Sequence, residues 1–281
     1  MPFSEKIFHY VQENVSNFLH CDESKPLALP SLEKGARFAY NVTVRFVGYF
    51  PFITNLSRFA AMKKHILCFG DSNTHGYCAD PADCADGGIR FNENERWTMR
   101  LQSALGDAYL VTEAGLSGRT TCFPDPIHEG LSGLDYISPC LKSHEFIDLL
   151  IIMLGTNDTK DRFYASAACI GIGMARLVKK AMATDCWGGK KPNILVIAPP
   201  PIGEGMLQSP VAETMGTGCV ERSQQLARYY EEQCRLLGVS FLDAGKLGCE
   251  FNQVDFMHLT KKGHAALAAA LAEKVPELLE R

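Results

Sequence analysis

Five short apolar runs, each separated from the next by a stretch long enough to hold a helix, constrain this chain more than any other feature. They occupy residues 66–69, 109–112, 149–154, 194–198 and 239–242. A strand with one wet face alternates apolar and polar residues, whereas runs that are apolar throughout suit strands covered on both faces. Helical patterning falls between them, around residues 95–105, 131–143, 163–183 and 220–237, and again from Thr260 onward. Thr260 is suited to cap that last helix, in which Leu267, Leu271 and Val275 recur at helical spacing. The alternation predicts an α/β fold, a three-layer α/β/α sandwich around a five-stranded, mainly parallel sheet.

In such sheets ligands bind beyond the carboxyl ends of the strands. The chemistry-bearing residues gather at those positions. Ser72, in Gly70-Asp71-Ser72-Asn73, follows the first run; Gly115 to Gly118 follow the second; Gly155-Thr156-Asn157-Asp158 follow the third; Asp255-Phe256-Met257-His258 follow the fifth. A serine hydroxyl becomes a competent nucleophile when an imidazole takes its proton and a carboxylate orients the imidazole. Ser72 is therefore the candidate nucleophile, and Asp255 with His258 its candidate activators. Each block alone has a plainer reading. Gly-Asp-Ser-Asn is ordinary turn composition, His258 stands where helices are capped, Gly118 suits a turn and Asn157 a helix start. A phosphate loop at a helix N-terminus is a further competitor. However, there is no Walker run or full dinucleotide fingerprint, and Gly171-Ile172-Gly173 lies inside a helical stretch. The arrival of four blocks at one sheet edge favours acyl-ester chemistry over these separate readings.

The composition narrows the partners. With 46% hydrophobic and 21% charged residues the chain is ordinarily globular, and a net charge of −4 supplies no basic field for nucleic acid. Small or neutral substrates are expected. Eleven cysteines show neither C-x-x-C nor zinc spacing, and His128-Glu129 and His144-Glu145 lack the second histidine of a metalloprotease helix. No metal or other cofactor is expected, and reduced thiols point to the cytoplasm. The N-terminus lacks the charged and apolar regions of a secretory signal. The aromatic stretch 38–61 is interrupted by Asn41, Arg45, Pro51, Thr54, Asn55 and Arg58, so no membrane span is expected. Patterning strengthens at Met62. Residues 1–61 read as an N-terminal extension, poorly ordered or the product of a misassigned start, and 62–281 as the catalytic domain.

The ordered blocks Gly70-Asp71-Ser72-Asn73, Gly115-Leu116-Ser117-Gly118-Arg119-Thr120-Thr121, Gly155-Thr156-Asn157-Asp158 and Asp255-x-x-His258 resemble those of the GDSL, or SGNH, hydrolases. The resemblance runs from Met62 to the end, about three-quarters of the chain. Arg96-Trp97-Thr98, the string from Ile152 to Lys160, and Pro199-Pro200-Pro201 are similar to the bacterial arylesterase and acyltransferase branch. Asn73 departs from the commoner leucine, at a position expected to stay clear of the chemistry.

The resemblance implies the flavodoxin-like SGNH fold, with Ser72 as nucleophile, His258 as general base and acid, and Asp255 as the carboxylate that orients the imidazole. The oxyanion donors it implies are the backbone N–H groups of Ser72 and Gly118 and the side-chain amide of Asn157. The expected activity is hydrolysis of small carboxylic esters through an acyl-Ser72 intermediate, with acyl transfer to alcohols as a secondary outcome and a homo-oligomer as the expected assembly. The same machinery serves carbohydrate O-deacetylases and lysophospholipases. A non-catalytic ester- or sugar-binding module and a flavodoxin-like cofactor binder are the alternatives from other classes. His75 is expected beside the pocket or in solvent, Trp97 in the core, and Phe123, Ile127 and Phe163 near an acyl or alcohol pocket.

Overall fold

The computed structural model describes residues 62–280. The expectations for the N-terminal extension and for the stretch 38–61 lie outside the described residues. Five strands, β1 (Lys64–Gly70), β2 (Tyr109–Gly115), β3 (Leu149–Met153), β4 (Ile194–Ala198) and β5 (Ser240–Asp243), form one sheet in the order β2-β1-β3-β4-β5. All four pairings are parallel. The helices are α1 (Ser72–His75), α2 (Trp97–Leu105), α3 (Gly133–Ser143), α4 (Ala167–Ala183), α5 (Ala212–Met215), α6 (Cys219–Leu237) and α7 (Lys261–Leu279).

The period of two along each strand divides the interior into two cores. Leu67, Phe69, Leu150, Ile152 and Val196 pack with α3, α4 and α6 on one face. Ile66, Cys68, Leu149, Ile151, Leu195 and Ile197 pack with α2 and α7 on the other. Every residue of β3 and β4 is buried, which is why these strands read as unbroken apolar runs. The predicted three-layer α/β/α fold is the observed one.

Element ends differ from expectation where side chains stop being apolar. β1 begins at Lys64 and β2 runs on to Gly115, because backbone pairing continues past the apolar stretch. α4 starts at Ala167 instead of near residue 163. A 3-10 turn at Asp161–Phe163 intervenes, Tyr164 closes it in the left-handed region at φ 50°, and Ser166 then caps α4 by accepting from Cys169 N. Thr260 caps α7 as expected, its hydroxyl accepting from Gly263 N at 3.1 Å. Among the described residues no helix is long and apolar enough to cross a membrane.

The chain leaves β1 toward β2 on one side and reaches β3 on the other, so the strand order reverses beside β1. This is the topological switch point at which open parallel sheets bind ligands. Ser72 stands at the carboxyl end of β1 and Asn157 just beyond β3.

Candidate active site

The site is assembled from backbone geometry first. Asp71 caps α1, its carboxylate accepting from Asn73 N at 3.0 Å, and places Ser72 in the first turn at the sheet edge. Ser72 is 8% exposed. Across the edge, Asn252 organises the loop that leads into α7. Its side-chain oxygen accepts from Val254 N and Asp255 N, and its Nδ2 donates to Asp255 Oδ1 and to the His258 carbonyl. Asp255 Oδ1 also accepts from the main-chain N–H groups of Met257 and His258.

These local bonds aim a continuous chain of side chains. His258 Nδ1 lies 2.6 Å from Asp255 Oδ2, and His258 Nε2 lies 2.7 Å from Ser72 Oγ. The rings of Tyr77 and His258 are 4.6 Å apart and inclined at 59°. Burial by itself would raise the Asp255 carboxyl, but the hydrogen bond and charge of His258 outweigh it and hold the group at about 2. Asp255 is thus ionised across the neutral range. Asp71 behaves oppositely: burial pushes it to about 6, with Asn73 N, His258 and Arg119 only partly offsetting the effect.

The remaining blocks reach the same edge. Gly118 adopts φ 86°, a backbone conformation that glycine enters without the penalty of a side chain. Arg119 is buried, donating to the Gly70 and Ala114 carbonyls, with its guanidinium 4.2 Å from the Phe69 ring centre. It thereby ties the ends of β1 and β2 together. Asn157 Nδ2 lies 3.2 Å from the Arg119 carbonyl and 3.5 Å from Asp71 Oδ2. Asp158 accepts from Thr121 N and Oγ1, fastening the turn after β3 to the loop after β2. Burial raises Asp158 to about 6.

Ser72, Gly118, Asn157, Asp255 and His258 are therefore brought to one rim. Trp97 was expected in the core, and His75 beside the pocket or in solvent. Trp97 is fully buried, and His75 is half-buried with its carbonyl accepting from Arg90 Nε. The rings of Phe123 and Phe163 lie 5.8 Å apart, while Ile127 is exposed. Among the described residues no group of His, Cys, Asp and Glu is arranged to hold a metal ion. Sequence reasoning missed Asn252 and Tyr77, and it set Asn73 aside. In the structure the Asn73 side chain bonds to the residues on both sides of His258. The Asn252-x-x-Asp255 spacing was the one available signal, because a side chain of that type commonly caps a turn two or three residues on.

The GDSL-like lipase/acylhydrolase family profile matches residues 68–266. The aryl esterase of M. smegmatis is 38% identical, with 76% of this chain and 99% of that one covered at a TM-score of 0.69. A carbohydrate acetylesterase from Sinorhizobium meliloti is 36% identical, with 77% and 100% covered at a TM-score of 0.69. A lipase/acylhydrolase from Enterococcus faecalis, 17% identical with 76% and 96% covered at a TM-score of 0.52, shares the fold. The comparison with curated proteins found no match. With its profile match spanning most of the sequence, the chain belongs to the GDSL-like lipase/acylhydrolase family and is a carboxylic ester hydrolase.

Proposed function

We propose that the protein hydrolyses small carboxylic esters through an acyl-Ser72 intermediate. The observation that carries this reading is the unbroken Ser72–His258–Asp255 chain at 2.7 and 2.6 Å. As the Ser72 oxygen attacks the ester carbonyl, His258 Nε2 takes its proton, and the same proton passes to the departing alcohol. Asp255 holds Nδ1–H and balances the imidazolium. Water then attacks the acyl-serine with His258 again as base.

The oxyanion formed at each step requires donors. The Ser72 and Gly118 N–H groups are assigned to it, together with the Asn157 amide. The 3.5 Å contact from Asn157 Nδ2 to Asp71 is at the limit of a hydrogen bond, so an oxyanion competes readily for that N–H. Residues 62–281 are assigned as the catalytic unit, in keeping with the matched span 68–266. Unpaired thiols at all ten described cysteines fit a reducing compartment, and the cytoplasm is the proposed location.

Acetylated carbohydrate is a second substrate reading, favoured by the 36% identity to the Sinorhizobium meliloti carbohydrate acetylesterase. Turnover of p-nitrophenyl esters of increasing chain length, beside acetylated sugars, separates the two. Ser72→Ala is expected to lose on the order of 10⁶-fold in kcat and all labelling by a fluorophosphonate. Wild-type turnover by Ser72→Ala would remove the proposal.

A further inference from the structure

Asn73, adjacent to the nucleophile, is 2% exposed and bonded at every polar atom. Its main-chain N–H donates to Asp71 Oδ1 at 3.0 Å, and its carbonyl accepts from the Trp97 indole at 3.1 Å. Its carboxamide reaches across the sheet edge. Nδ2 donates to the Met257 carbonyl at 3.2 Å, and Oδ1 accepts from Leu259 N at 2.9 Å. These two contacts bracket His258.

We propose that Asn73 is a positioning residue whose carboxamide clamps the backbone on both sides of His258 and so sets the imidazole at hydrogen-bond distance from Ser72. The inference rests on the proposed Ser72–His258 chemistry. The backbone of His258 is held on its far side by Asp255 and Asn252, which belong to its own loop. Those bonds fix His258 against Asp255 but not against the nucleophile. Asn73 supplies a cross-link from α1 itself. Leucine, the commoner residue at this place in the family the sequence resembles, has neither donor nor acceptor to offer.

Asn73→Leu and Asn73→Asp test the clamp, with Ser72 labelling by a fluorophosphonate and p-nitrophenyl acetate turnover measured against pH. Asn73→Leu is expected to lower kcat about 10- to 100-fold, as a misplaced catalytic group does, with KM nearly unchanged. In Asn73→Asp a protonated carboxyl reproduces both bonds, whereas an ionised one faces the Met257 carbonyl with an acceptor. Its labelling rate relative to wild type is therefore expected to fall as that carboxyl ionises with rising pH. Asp71, Arg119, Asp255 and His258 surround the site in both proteins, and Asp71, which accepts from residue 73 N, is the neighbour whose own titration a carboxyl at 73 shifts with it. If Asn73→Leu does not fold, the Asn73→Asp profile decides. Labelling of both variants at the wild-type rate and with the wild-type profile overturns the inference alone. Absence of Ser72 labelling in the wild type overturns the parent reading and this inference with it.

Discussion

At the scale of single residues, the site depends on groups whose ionisation is fixed by what surrounds them. His264 is fully buried in α7, its Nδ1 accepting from Trp97 N at 3.2 Å and its ring edge-on to Phe91. Burial, then the charges of His258, Arg100 and Arg96, lower it to about 3. Unfolded, the same histidine titrates near 6.5. Between those values the unfolded chain binds a proton that the folded protein refuses, so stability is complete above about 6.5 and falls as pH drops toward 3. The stability advantage of wild type over His264→Gln is expected to shrink by about 2 kcal/mol between pH 7 and pH 5. Urea titrations at the two pH values measure it, and an unchanged gap would contradict the assignment. Ser72, Asp255 and His258 were legible in the sequence because each sits in a short block with recognisable chemistry. Asn73 was not, since its partners lie 184 and 186 residues away and only the folded register brings them near.

At the scale of elements, the loop holding Asp255 and His258 leans on the connection after β4. Phe256 occupies the left-handed region at φ 59°, and its carbonyl accepts from Gly203 N at 2.8 Å. Its ring lies over Gly205, where an added Cβ would come within 2.4 Å of it. Phe256 and Met257 also pack against a small cluster of Ile202, Met206, Met215, Cys219 and Val220. Gly205→Ala is expected to displace Phe256 and slow turnover by up to about 10²-fold through a shifted His258, with a smaller change in KM. Steady-state kinetics check this, and wild-type kcat would show that the loop absorbs the clash. The strands and long helices were readable from periodicity. The turns and α5 between residues 199 and 218 were not, because elements of three to five residues are too short to display a period.

For the whole molecule, the parallel sheet was implied by the apolar runs, but the neighbours of each strand were not, since pairing order is written in crossovers instead of in any one run. The resulting order places Ser72 beside an imidazole 186 residues further along the chain. Such a contact closes a long loop at an entropic cost that local contacts escape, and is expected to form late. Activity therefore reports arrival of the last helix. In refolding from denaturant, far-ultraviolet circular dichroism is expected to recover before fluorophosphonate labelling of Ser72, and simultaneous recovery would place the docking of α7 early. A chain that has paired β1 with β3 but has not seated the loop before α7 has Ser72 without the imidazole of His258, so on the proposed chemistry its serine stays quiet until that contact forms.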